Sequence, residues 1–344
     1  MNVRGMWFAA LAGLALAGLL IAHQGMADVL TTVAGIGWGL LPVLLVHVVQ
    51  LILSGLAWRA LFRGGPSPPV ATLVWARWIR ESVNSMMPMT LVGGDVIGIR
   101  LLALAGVRGA LAGASVVVDL TIEAGTQCLF TLLGIGLILL QGQGGRAVQW
   151  PAVALMIMVP AVALFIVAQQ RGMLRIVETG VGKFIARWSS LRAIAVDGLH
   201  SSARAMYRNP RALANACYFH LLSWLAGTVE VWLILNSFGA PVSLQEALVI
   251  ESLGQGIRSA VFLVPGAFGV QEGGYMVLTS IYGLPLEVGL ALSLVKRVRE
   301  LVLGLPGLLI WTVTEGRGIV PATPPTPPHE GDAPQVSSVR PPGP

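Results

Sequence analysis

From Gly109 to Leu140 the chain is long enough to cross a membrane as a helix and carries only two charged side chains, Asp119 and Glu123. A helix rises about 1.5 Å per residue and a bilayer's hydrocarbon core is about 30 Å thick, so roughly 20 apolar residues suffice to span it. Further apolar runs near 6–22, 36–62, 150–168, 213–237 and 286–312 bring the expectation to six spans. Charged residues make up only 11% of the chain and its mean hydropathy is +0.77. A soluble protein carries about 25% charged residues, because its surface has to be polar. This fold is therefore all-α and polytopic, solvated on the outside by lipid.

The net charge of +6 and a pI near 10 do not point to nucleic acid. In a membrane protein, basic residues collect on the cytoplasmic side. Lysine occurs only at Lys183 and Lys296, an Arg bias that suggests a GC-rich bacterial genome. Cys128 and Cys217 lie far apart in apolar stretches without CxxC or Cys/His spacing, which argues against a disulfide framework or a metal site. No cofactor is implied.

Segment 169–212 holds Arg171, Arg175, Lys183, Arg187, Arg192, Arg204, Arg208 and Arg211 against Glu178 and Asp197. The positive-inside rule places this basic connection in the cytoplasm, and Arg4, Arg59, Arg63 and Arg317 mark other cytoplasmic ends. The spans then share one orientation, with both termini cytoplasmic and the inner membrane of a bacterium as the expected location. Residues 1–320 read as a single membrane domain, and the Pro-rich tail 321–344 as disordered. Arg4 before the short apolar run 6–22, and the cleavage-like Gly25-Met26-Ala27 after it, resemble a secretory signal, but the repeat described next requires residues 6–22 as a span.

Two stretches are too polar and too broken for ordinary spans. Trp75–Gly106 contains Arg77, Arg80, Glu81, Asn84, Pro88, Gly93, Gly94, Asp95 and Arg100, and Leu244–Gly283 contains Glu246, Glu251, Arg258, Pro265, Gly269 and Glu272. Arg80 precedes Pro88 by eight residues and Asp95 follows it by seven; Arg258 precedes Pro265 by seven and Glu272 follows by seven. Ser115 and Ser293 keep the offset of the two arginines. Counting crossings brings the first hairpin in from the cytoplasm and the second from the periplasm. The expectation is two Pro/Gly-broken re-entrant hairpins in an inverted-topology repeat, about 6–140 and 150–316. Broken helices in corresponding positions of inverted repeats are a mark of secondary transporters.

Irregular backbone at membrane depth persists only inside protein or beside a wet cavity. Half-helix N-termini and the guanidinium groups of Arg80, Arg100 and Arg258 suit a phosphate or carboxylate headgroup. Arg297, Arg299 and Glu300 lie in a candidate span beside Lys296 and cover too much of its circumference to face lipid together. Asp119, Glu123 and Glu230 are candidates for proton coupling. Structural pairing is the competing reading, with Arg80 closing on Asp95 and Arg258 on Glu272. His47 and His220 read as packed or hydrogen-bonded residues, and Trp7, Trp38, Trp150 and Trp311 as interface anchors.

The stretches RWIRESVNSMMPMTLVGGDVIGIRLL at 77–102, VPGAFGVQEGGY at 264–275 and LSLVKRVRELVLGLPGLL at 292–309 resemble the flippase-like membrane domain of lysylphosphatidylglycerol synthases. Within that group they are most similar to the hopanoid-biosynthesis-associated branch, HpnL. The resemblance covers residues 1–316 and implies lipid handling, with Arg80, Pro88, Gly93, Gly94, Asp95, Arg258, Pro265, Gly269, Glu272, Arg297 and Glu300 as the matching positions. The soluble transferase domain of the larger relatives has no counterpart here, so aminoacyl transfer is not implied.

The leading expectation is a lipid transporter, not an enzyme, that binds a polar or anionic headgroup between the two hairpins. Its partner would be a hopanoid or an anionic phospholipid. One alternative is a scaffold that gathers hopanoid-biosynthesis enzymes through the basic segment 169–212. Another is an intramembrane enzyme that uses paired carboxylates on a lipid headgroup.

Overall fold

A computed structural model describes residues 35–65, 67–86, 93–142, 149–171, 198–260 and 269–316. The expected first span 6–22, Pro88, Pro265, most of segment 169–212 and the tail lie outside these residues. Among the described residues ten α-helices follow one another and there is no strand. They are α1 (Leu40–Ala60), α2 (Val70–Met86), α3 (Gly93–Leu104), α4 (Gly109–Leu140) and α5 (Gln149–Gln170), then α6 (Leu199–Tyr207), α7 (Pro210–Ser237), α8 (Leu244–Ala260), α9 (Val270–Ser280) and α10 (Leu286–Gly316).

Local chemistry sets the boundaries. Pro210 occupies the first turn of α7 and the Asn209 side chain accepts the amide of Ala212 at 3.1 Å, so this helix begins before the expected residue 213. Likewise α2 starts at Val70 rather than Trp75, because the Pro69 carbonyl accepts the amides of Thr72 and Leu73. A capping box opens α8: the Ser243 amide donates to Glu246 Oε2 at 2.6 Å and the Glu246 amide to Ser243 Oγ at 3.2 Å. Gly269 precedes α9 at φ 74°, a backbone angle that favours glycine.

Three of these helices, Gly37–Ala60 (with a short 3-10 lead-in), Gly109–Leu140 and Pro210–Ser237, are long and apolar enough to cross a membrane. Their outer faces expose Leu41, Leu45 and Ile52 on α1, Leu129 and Leu133 on α4, and Leu225 and Val229 on α7. Trp38 is exposed at its helix end, as an interface anchor should be, whereas Trp311 is buried against Ile79, Val83, Met86 and Leu308 and is a core residue instead.

The packing repeats. α1 runs antiparallel against α7, with Gly39 beside Ser237 and Ser54 Oγ 3.2 Å from Ser223 Oγ. α2 packs on α3 and crosses to α10; α8 packs on α9 and crosses to α4. Exchanging α1–α4 with α7–α10 turns each of these neighbour relations into another that is present. Polar side chains tie both crossings: Trp78 Nε1 donates to the Leu303 carbonyl at 2.9 Å, and Gln127 donates to the Gln255 carbonyl at 3.1 Å and to Ser259.

Two apolar clusters lie at opposite ends of the bundle. One gathers Trp58, Phe62, Leu73, Leu102 and Met206, the other Val43, Val231, Leu253, Tyr275 and Leu292. Along α1, His47, Gln50 and Ser54 fall between Val43 and Trp58, and along α7, His220 and Ser223 fall between Ala216 and Val231. A polar layer is thus held between two apolar ones.

Candidate functional site

Within this layer the charged side chains form two groups. The first comes from α2, α3 and α4. Arg80 Nε lies 2.5 Å from Asp95 Oδ1 and its Nη1 lies 2.8 Å from Asp119 Oδ2. Arg77 grips both oxygens of Glu123, at 2.5 and 2.8 Å, and lies 3.9 Å from Glu81. Bidentate Arg–carboxylate geometry of this kind is the strongest ion pair available to side chains.

The second group comes from α7, α8, α9 and α10. Arg299 Nη1 lies 2.6 Å from both oxygens of Glu230. Lys296 Nζ lies 2.8 Å from Glu251 and 3.6 Å from Glu230, with the Tyr275 hydroxyl donating to Glu251 at 3.3 Å. Glu300 collects Arg258 at 3.0 Å, Arg297 at 3.5 Å and Arg299 at 3.8 Å.

Packing between α2 and α3 is close. The Gly94 amide donates to Asn84 Oδ1 at 2.9 Å, and a Cβ on Gly94 would strike the Arg80 carbonyl and that same oxygen. This contact holds Asp95, in the first turn of α3, against Arg80.

A cavity of about 530 Å³ opens between the groups. α1, α2, α4, α7, α8 and α10 all line it, so it lies where the two sets of helices meet. Two charged side chains are conspicuously open to it: Glu81 is 37% exposed and Arg258 39%, while Arg80 is 3% exposed.

The sequence model for the transmembrane region of lysylphosphatidylglycerol synthases matches residues 6–307. The chain belongs to that family. Among curated proteins and among solved structures nothing matches. As a member of the lysylphosphatidylglycerol synthase transmembrane family, this is a multi-pass membrane protein tied to lipid metabolism.

Of the positions expected at the site of this family member, Arg80, Asn84, Glu123, Arg258, Arg297, Arg299 and Glu300 line the cavity. Asp95, Asp119, Glu230 and Glu272 stand behind them as partners of the cavity cations. Gly93 begins α3, Gly269 precedes α9, and Arg100 lies further along α3; none of the three is among the lining residues. Pro88 and Pro265 fall outside the described residues.

One expected pairing is corrected. Arg80 closes on Asp95 as anticipated, but Arg258 does not close on Glu272. Glu272 lies in the first turn of α9, the helix that packs along α10, and pairs with Arg297 at 3.5 Å, leaving Arg258 to turn into the cavity and bond Glu300.

Several lining residues were not assigned a role from sequence: His47, Gln50, Ser54, Arg77, Glu81, Gln127, His220, Ser223 and Gln255. Their signal is a polar stripe at helical spacing inside an apolar run. His47, Gln50 and Ser54 share one face of α1, and His220 and Ser223 share one face of α7. The histidines are indeed hydrogen-bonded, and their partners are carboxylates: His47 Nε2 lies 2.9 Å from Glu81 and His220 Nε2 3.0 Å from Asp119.

Proposed function

We propose that this protein moves a lipid bearing a polar or anionic headgroup across or within a bacterial inner membrane, with both of its termini on the cytoplasmic side. The observation that carries this reading is Arg258, a permanently charged fork exposed in a cavity inside a bundle whose outer faces are apolar. Such a cavity stabilises an anion that the hydrocarbon around it would exclude, and its size is within the roughly 300–1,000 Å³ usual for small-ligand sites.

The short helices support a hairpin reading. α3 has 12 residues and α9 has 11, too few to cross about 30 Å of hydrocarbon at about 1.5 Å per residue. Paired with α2 and α8, each 17 residues long, they read as two re-entrant hairpins of an inverted repeat, flanking the headgroup site. In this reading the charged layer binds and does not catalyse. The hopanoid-associated wording of the hairpin motifs makes a hopanoid or one of its polar precursors the favoured cargo, and hopanoid-biosynthesis enzymes the natural neighbours.

Photo-crosslinking tests the placement. A lipid with a photoreactive group in its headgroup is expected to label the stretches 77–85 and 255–259. Labelling confined to outward-facing positions such as Leu41, Leu45 and Leu133 would count against a headgroup site in the cavity.

A further inference from the structure

The two ion-pair groups differ in charge. The second sets Glu230, Glu251, Glu272 and Glu300 against Arg258, Lys296, Arg297 and Arg299, and is balanced. The first sets Glu81, Asp95, Asp119 and Glu123 against Arg77 and Arg80, and lacks two positive charges. Both histidines of the layer touch this deficient group: His47 bonds Glu81 and His220 bonds Asp119. Each histidine is almost fully enclosed, and each carboxylate lies among guanidinium groups that it shares with a second acid.

The histidines also join the repeats. Among the described residues, ion pairs within 4 Å link the two groups only through His47, whose Nε2 faces Glu81 of α2 and whose Nδ1 lies 3.8 Å from Glu230 of α7. That Nδ1 is buried and lies too far from Glu230 for a hydrogen bond, beside a carboxylate already held by Arg299 and Lys296, and the Arg299 cation also faces His47 and Glu81. His220 belongs to α7 and reaches across to Asp119 of α4, where Arg77 and Arg80 face the same acid and Glu123 adjoins them.

We infer that His47 and His220 form a two-proton site that carries the coupling ion of this protein, holding the repeats together when protonated and freeing them to part when the protons leave. Charge carries the argument. Bare, the first group is doubly negative, with Asp95 and Asp119 buried and only Glu81 widely open to the cavity, which is costly. Two imidazolium ions neutralise it and place a cation between Glu81 and Glu230. The carboxylates Asp119, Glu123 and Glu230 are poorer carriers, because each is already held by permanent arginine cations. Imidazole is the side chain whose ordinary titration, near pH ~6.5, lies within reach of a physiological proton gradient.

The consequence for transport rests on the proposed lipid movement, but the protonation itself does not. Purified full-length protein in liposomes containing a fluorescent anionic phospholipid is given an imposed pH gradient. Each coupled proton should shift the leaflet ratio of the reporter about tenfold per pH unit. His47→Gln and His220→Gln, which keep a hydrogen-bonding side chain, should each weaken that dependence. Lipid that equilibrates between leaflets at a ratio indifferent to the gradient overturns the two-proton site and leaves transport standing. Wild-type liposomes without any lipid movement overturn the transport reading instead. The site is then decided by nitrogen NMR of the histidine rings: His47 and His220 rings that pass from doubly protonated to neutral as the pH is raised from about 5 to about 9 uphold it. Rings that keep one protonation state across that range overturn it, a result that needs no variant to fold.

Discussion

Arg299 Nη1 lies 2.6 Å from both carboxylate oxygens of Glu230, pairing α10 with α7 in the polar layer. Both partners are buried, so removing one takes from the other its closest counter-charge. Arg299→Met should lower stability by roughly 3–5 kcal/mol, and adding Glu230→Met should restore a substantial part of it. Thermal unfolding of the purified protein in detergent, followed by gel filtration, reads both.

Arg80 of α2 and Arg258 of α8 should behave differently. Arg80 is buried between Asp95 and Asp119, so Arg80→Ala is expected to loosen α3 and α4 from α2 and lower the yield of folded protein. Arg258 makes one bond, to Glu300, and is open to the cavity. Arg258→Ala should keep a near-native melting temperature and lose lipid binding by about tenfold or more, the scale of one charge-assisted hydrogen bond. Melting curves beside lipid-binding isotherms separate the two cases.

Gly94→Ala places a methyl group onto the Arg80 carbonyl and Asn84 Oδ1. Overpacking of this kind costs about 1–3 kcal/mol, and here it also pushes Asp95 away from Arg80. Gly125→Ala is the control, since nothing lies within 4 Å of a Cβ there. Only the first should melt early.

Gln127 fastens α4 to α8 through the Gln255 carbonyl and Ser259, all three among the residues that line the cavity. Gln127→Leu removes these bonds while roughly conserving volume. Greater labelling of Ser259→Cys by a water-soluble maleimide, relative to the same cysteine with Gln127 intact, is the expected outcome.

Much of the fold was legible because membrane helices announce themselves by length and apolarity. Residues 109–140 match α4 end for end, and 150–168 falls within α5 by a residue or two at each end. Helix starts were less legible where proline and asparagine chemistry decided them, as at Pro69 and Asn209. For the site, costly intramembrane charges pointed to Arg80, Arg258 and the cluster Arg297–Glu300. Partner choice was hidden: nothing in the spacing of Arg258 and Glu272 says that Arg297 of α10 will take Glu272 and Glu300 of α10 will take Arg258. Single histidines in apolar runs gave too weak a signal, because their meaning comes from carboxylates distant in sequence, Glu81 and Asp119.

Transbilayer movement of lipid in liposomes containing the purified protein tests the central claim most directly. Wild-type protein should accelerate movement of a headgroup-labelled hopanoid or anionic phospholipid over protein-free liposomes, and Arg258→Ala should abolish the acceleration while remaining folded. Movement no faster than in protein-free liposomes, or equally fast with Arg258→Ala, would contradict it.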